Sequence, residues 1–199
     1  MRFQIAHTKL SDVVVVTPDA FRDDRGFFTE IYRQDLFDAL GLPSSFVQVN
    51  LSGSARNVIR GLHFQWAPPM GKLMRVSHGQ AFLVAVDLRI DSPTLGQWVS
   101  IIASAEDRRQ LWAPASFARG FCALEDSTEV EYLCTGTYNG LGESAIRWDD
   151  PDIGIDWPTR EPILSAKDRT ASSLADWLTS ADSSRFRLQT SVVTEAPAR

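Results

Sequence analysis

The chain has 199 residues, 44% of them hydrophobic and 23% charged, with a formal net charge of −5 and a pI of about 5.2. This is the balance of an ordinary soluble globule, long enough for one domain with a sizeable core. The acidic surplus argues against nonspecific binding to nucleic acid or an anionic membrane, although a local basic patch could still hold a phosphate.

In chain order, the opening MRFQIAHTKL lacks the apolar core of a signal peptide. Short apolar and β-branched runs then follow one another at Val13–Val16, Phe27–Tyr32, Phe46–Leu51, Val58–Phe64, Lys72–Val76, Ala81–Leu88, Trp98–Ala103, Val130–Thr135 and Ala145–Trp148. Turn formers separate them, among them Asp23-Asp24-Arg25-Gly26, Pro68-Pro69 and Tyr138-Asn139-Gly140. Many short strands punctuated in this way predict an all-β sandwich or barrel. Helices are expected only at Gln34–Leu40, closed by Gly41, and at Ser172–Leu178. From 180 to 199 the chain is polar and reads as a flexible tail, whose last residues, 190–199, are expected to fray. No apolar run approaches the ~20 residues of a membrane span. No composition break marks a second domain, so 1–199 is taken as one. With Cys122 and Cys134 the only cysteines, the expectation is reduced thiols and a cytoplasmic address.

The chemistry-bearing residues are few. His7, His63 and His78 are scattered, with no HxH, HExxH or CxxC spacing, so no metal site is expected. Neither GxGxxG nor GxxxxGK[ST] is present, so dinucleotide and P-loop readings lack their signature. His63 lies within an apolar strand-like run, Asn57–Gln65, and is either a satisfied core residue or a working base. Strict alternation in Val130–Cys134 puts Val130, Tyr132 and Cys134 on one face and Glu129, Glu131 and Leu133 on the other. Tyr132 should therefore point inward, where its hydroxyl needs a polar partner or a cavity.

A set of blocks in fixed order carries a resemblance: Asp24-Arg25-Gly26-Phe27-Phe28-Thr29-Glu30, Phe46-Val47-Gln48-Val49-Asn50, Arg60-Gly61-Leu62-His63-Phe64-Gln65, Gly71-Lys72-Leu73-Met74-Arg75-Val76, Val86-Asp87-Leu88-Arg89, Arg109-Gln110-Leu111-Trp112-Ala113-Pro114, Trp148-Asp149-Asp150-Pro151 and Leu164-Ser165-Ala166-Lys167-Asp168. From about residue 11 to 169 the chain resembles the dTDP-4-dehydrorhamnose 3,5-epimerases. The resemblance implies a cupin-like jelly roll, a dTDP-linked 4-keto-6-deoxy sugar as substrate, inversion at C3, C5 or both, no cofactor and a homodimer. It also implies roles. His63 would be the base, Asp168 its carboxylate partner, Lys72 the cation beside the sugar ketone, and Tyr132 the acid on the opposite face. Arg25, Phe28, Glu30, Gln48, Asn50, Arg60 and Tyr138 would touch the substrate, with a strand from a neighbouring subunit helping to close the site. Without the resemblance, Asp168 reads as a solvated loop acid, Lys72 as a surface lysine, Phe28 as core, and Gln48 and Asn50 as partners of strand-end backbone.

The chain departs from the family pattern in one neighbourhood. Arg119 stands where the family has a His in Gly-Phe-Ala-His-Gly-Phe. Guanidinium stays protonated and cannot act as a base, so Arg119 is expected to touch substrate, reshape the sugar pocket or pair with a carboxylate such as Asp168. Leu83 replaces a usual Asp, Val49 and Leu51 a usual Asp and His, and Gly136-Thr137 a usual Asp-Tyr. Three readings follow: an epimerase of the family type, a mono-epimerase or isomerase working on a different nucleotide 4-keto sugar, and a non-catalytic cupin that binds nucleotide sugars.

Overall fold

A computed structural model describes residues 2–188. Thirteen strands and three short α-helices follow in order: β1 (Phe3–His7), β2 (Val14–Pro18), β3 (Ala20–Asp23), β4 (Gly26–Thr29), α1 (Gln34–Ala39), β5 (Gln48–Ser54), β6 (Ile59–Gln65), β7 (Lys72–His78), β8 (Gln80–Asp87), β9 (Trp98–Ser104), β10 (Gln110–Ala113), β11 (Phe117–Ala123), β12 (Thr128–Cys134), β13 (Glu143–Ala145), α2 (Ala166–Arg169) and α3 (Leu174–Thr179). Two antiparallel sheets make the cupin-like jelly roll, one ordered β1-β2-β10-β7-β12-β5 and the other β13-β6-β11-β8-β9, while β3 and β4 form a separate hairpin. No helix among the described residues is long and apolar enough to cross a membrane.

Period-two alternation divides the apolar residues into three layers. Met74, Val76, Leu111 and Val130 from the six-stranded sheet meet Leu83, Ala85, Phe117 and Phe121 from the five-stranded sheet in the central core. The outer face of the five-stranded sheet (Leu62, Phe64, Val84, Val86, Cys122) is covered by Ile146, Trp157, Leu174, Trp177 and Phe186. The outer face of the six-stranded sheet (Val16, Leu73, Trp112, Leu133) is covered by Phe37 of α1. β8 and β11 are thus sandwiched on both sides, which is why Ala81–Leu88 is apolar at every position but Asp87. A capping box, Ser173 with Asp176, starts α3, and the Asp150 carboxylate accepts from Leu174 N at 2.7 Å.

The flexible tail expected over 180–199 is a correction over its first part. Ala181–Arg185 forms a 3₁₀ helix, and Phe186 is buried against Phe64 and Trp177. An aromatic that closes the outer core anchors a segment that is otherwise polar. The rest of that expectation, 189–199, lies outside the described residues. Four strands escaped the sequence reading: β1, β3, β10 and β11.

The pairing of β6 with β11 has one irregularity that decides the site. Arg119 lies opposite His63, yet Phe121 lies opposite Arg60, so β6 carries one extra residue between the two pairs. Such a bulge breaks alternation and re-aims side chains. As a result Arg60 and His63, three residues apart, line the same cavity, where strict alternation would send them to opposite faces. The strands pass too close for side chains here. Gly61 has φ +125°, and a Cβ on it would lie 2.6 Å from Gly120 Cα and 2.8 Å from the Arg119 carbonyl oxygen.

Candidate active site

A cavity of about 510 Å³ opens between the two sheets. The five-stranded sheet contributes Arg60 and His63 from β6 and Arg119 from β11. The six-stranded sheet contributes Asn50 from β5, Lys72 from β7 and Tyr132 from β12. Ser165, Lys167 and Asp168 close one side from α2 and its N-cap.

The imidazole of His63 and the carboxylate of Asp168 are 2.5 Å apart, Nε2 to Oδ1. Asp168 is 2% exposed, so a loop acid is ruled out. Burial alone would raise its carboxyl, but the hydrogen bond and charge of His63, with the Ser165 hydroxyl and the Gly61 backbone, hold it below the usual carboxylate range. Ser165 does this as the N-cap of α2: its hydroxyl donates to Oδ2 at 2.8 Å and accepts from Asp168 N at 3.1 Å. A carboxylate only accepts, so Nε2 carries the proton and Nδ1 keeps its lone pair. An imidazole held in one tautomer with a carboxylate behind it can take up a proton.

Tyr132 faces inward as alternation predicts and packs against the central core. Its hydroxyl lies 3.4 Å from Ser52 Oγ. Burial, opposed by Ser52 and the Arg60 charge, pushes its phenol up to about 12, so it stays protonated in neutral solution. The Lys72 ammonium sits over the Tyr132 ring, 5.4 Å from its centroid. Burial, then the like charge of Arg119, brings Lys72 down to about 8. Lys72 is therefore not the solvated surface lysine of the bare sequence. Arg60 donates to Ser54 Oγ at 3.1 Å and to the Gly53 carbonyl at 3.0 Å.

Arg119 differs from expectation. It does not pair with Asp168, whose oxygens are committed to His63 and Ser165. Its Nη1 donates to the carbonyls of Met70 and Pro114, at 2.7 and 2.9 Å. Leu83 is wholly buried in the central core, where an acid would need a partner. At Gly136 a Cβ would come within 2.9 Å of the Pro69 carbonyl, which excludes a larger residue.

Five candidate residues lie outside the cavity wall. Gln48 and Tyr138 stand at its rim: Gln48 donates to Asn50 Oδ1 at 2.9 Å and accepts from Tyr138 N at 2.8 Å. Arg25, Phe28 and Glu30 lie on or just after the β3–β4 hairpin. Arg25 is exposed and paired with Asp23, Glu30 is paired with Arg33, and Phe28 is 66% exposed, so it is not core. Sequence reasoning gave no role to Lys167, Ser165 or Glu143. Lys167 and the Tyr138 hydroxyl both donate to Glu143 Oε1, at 2.6 and 2.8 Å, forming a charged rim beside the cavity. Among the described residues no three His, Cys, Asp or Glu side chains cluster as metal ligands would.

A jelly roll with an imidazole backed by a buried carboxylate on one wall and a phenol and an ammonium on the other defines an acid–base isomerase, an epimerase. The chain matches the family described as dTDP-4-dehydrorhamnose 3,5-epimerase over residues 7–176, and it belongs to that family. It is 50% identical over 169 residues to the dTDP-4-dehydrorhamnose 3,5-epimerase of Pseudomonas aeruginosa, covering 84% of this chain and 93% of that protein. It is 40% identical over 163 residues to a dTDP-4-dehydrorhamnose 3-epimerase of Streptomyces niveus, covering 81% of this chain and 79% of the other. Among solved structures it resembles the dTDP-6-deoxy-D-glucose-3,5-epimerase of Legionella pneumophila in complex with dTDP-4-keto-L-rhamnose. There the TM-score is 0.89 and the identity 39%, over 95% of this chain and 100% of that one.

Proposed function

We propose that the protein epimerises a dTDP-linked 4-keto-6-deoxyhexose at C3 and C5, the two carbons flanking the C4 ketone. The observation that carries this reading is the placement of His63 and Tyr132 on opposite sheets, with the cavity between them. A sugar held there meets a base on one face and an acid on the other, which inversion requires. His63 Nδ1 takes the proton from the carbon beside the ketone, and the electron pair moves onto the C4 oxygen, where the Lys72 ammonium stabilises it. Tyr132 then gives its proton to the same carbon from the opposite face. Exchange with solvent returns a proton to the tyrosine and removes one from the imidazole. Arg60 and Lys167 are the cavity's cations for the diphosphate.

The test is solvent labelling. In D2O, dTDP-4-keto-6-deoxyglucose should acquire deuterium at C3 and C5, read by NMR with and without a 4-reductase to draw the product off. Folded protein that labels neither carbon would remove this substrate. Label at one carbon would make it a mono-epimerase, a second reading favoured by the 40% identity to a 3-epimerase.

The hairpin residues enter through a second copy. Phe21, Phe27 and Phe28 on β3–β4, Val47 just before edge strand β5, and Val49 and Leu51 along it, are large apolar side chains left exposed. An apolar edge strand invites pairing. In a homodimer this surface is covered, and Arg25, Phe28 and Glu30 reach the nucleotide end of the partner's cavity. Sedimentation should give a dimer in the parent, and Val49→Asp/Leu51→Asp should yield monomers with weakened substrate binding. A parent monomer with full activity would count decisively against this arrangement.

A further inference from the structure

Arg119 is a buried charge without a counter-charge. Its side chain is 3% exposed, and Nε and Nη2 are buried with no partner among the described residues. Only Nη1 is engaged, by two neutral carbonyls. An isolated buried cation is costly, and it persists where the fold holds it in place.

The two carbonyls show what the guanidinium serves. Met70 lies two residues before Lys72 on the chain that enters β7. Pro114 follows Ala113, and Ala113 is the residue of β10 directly opposite Lys72. One side chain, rooted in the five-stranded sheet, therefore grips both segments of the six-stranded sheet that frame Lys72. The charged and titratable groups around Lys72 are Cys134 opposite it on β12, Tyr132 beneath its ammonium, Glu143 and Lys167 on the rim, Arg60 and His63 on the facing wall, and Asp168 on α2 at the side.

We propose that Arg119 is a positioning residue that acts through Lys72: clamped beside it as an unneutralised positive charge, it turns the Lys72 ammonium from a resting counter-charge into a proton donor for the C4 oxygen. The step rests on the epimerase reading and balances within it. His63 takes the α-proton as the carbon–hydrogen bond breaks, the electron pair reaches the C4 oxygen, and an N–H bond of Lys72 breaks as an O–H bond forms. The intermediate is a neutral enol beside a neutral amine. When Tyr132 protonates the carbon, the enol proton returns to Lys72. A lysine at about 8, lowered by burial and then by Arg119, is matched to this exchange far better than one near 10.5.

The experiment is an NMR titration of the Lys72 side chain in the ligand-free full chain, with the resonance assigned through Lys72→Arg. The parent midpoint should lie at about 8. In Arg119→Gln it should rise by roughly half a unit or more, since a like charge has gone. Arg119→Lys, which keeps the charge, should hold the parent value. Arg119→His, uncharged at the pH of the titration, gives the same comparison if the glutamine variant does not fold. A midpoint unmoved in a folded, uncharged variant overturns the positioning role. The alkaline limb of solvent exchange should follow the midpoint from variant to variant. A limb that stays fixed while the midpoint moves overturns the proton-donor role. A parent that shows no exchange overturns the epimerase reading and the donor step with it, while the titration alone still decides the positioning role.

Discussion

Replacing His63 with alanine should lower the rate of deuterium wash-in to the keto sugar by about 10³-fold while leaving the fold intact, the size expected when a positioned general base is lost. Lys72, Tyr132 and Arg119 stay where they are, because none of their contacts runs through the imidazole. The variant should therefore still bind dTDP, measurable by calorimetry, and still polarise the ketone. It strands the Asp168 carboxylate, which loses its main stabilising partner and is left with the Ser165 hydroxyl and the Gly61 backbone. Some stability is lost with that partner, so the rate should be read alongside a melting curve. Wash-in within tenfold of the parent would take His63 out of the base role.

Asp168→Asn tests the other half of the pair. The amide is nearly the same size, so Ser165 can still cap α2 and the cavity wall should persist. What disappears is the negative charge that fixes the proton on Nε2 and balances the imidazolium formed in the reaction. kcat should fall by about 10²–10⁴-fold, as in triads whose carboxylate is made an amide. KM should change little, since the carboxylate is turned toward His63 and Ser165. A second signature is acid stability. The folded protein holds the Asp168 carboxyl low, so its contribution is complete above the ordinary carboxylate range, near pH ~4, and is lost as pH falls through the lowered value. The asparagine variant lacks that term, and its stability should fall less steeply on acidification. A raised KM with kcat unchanged would make Asp168 a binding residue.

Much of the architecture is legible in the chain because most strands alternate. Tyr132 could be aimed inward from Val130–Cys134 alone, and the structure agrees. β11 was missed for the opposite reason. Phe117–Ala123 is buried at every position, so it shows no alternation, and Arg119-Gly120 at its centre resembles a turn. α2 spans four residues, too few to show helical periodicity, although Ser165 three residues before Asp168 is an N-cap signal. The site is less legible than the fold. That Arg60 and His63 share a cavity depends on the extra residue in β6, which no periodicity announces. Glu143 and Lys167 are 24 residues apart and meet only through tertiary packing. The partner of Arg119 was sought among carboxylates, but the strand ends around Lys72 present carbonyls instead.

The contact of Gly61 with Gly120 bears on how such a site can change over time. Most crowded core pairs leave room for compensation, since a larger residue on one side can be answered by a smaller one on the other. Here both residues already have the smallest side chain, and added atoms on either would meet backbone. Nothing remains to be trimmed, so substitutions at these two positions cannot rescue one another. The bulge that turns Arg60 and His63 into one cavity is locked against stepwise drift, while an exposed rim position such as Tyr138 is not held by packing. Divergence in substrate choice should accumulate at the rim and leave the position of the base alone.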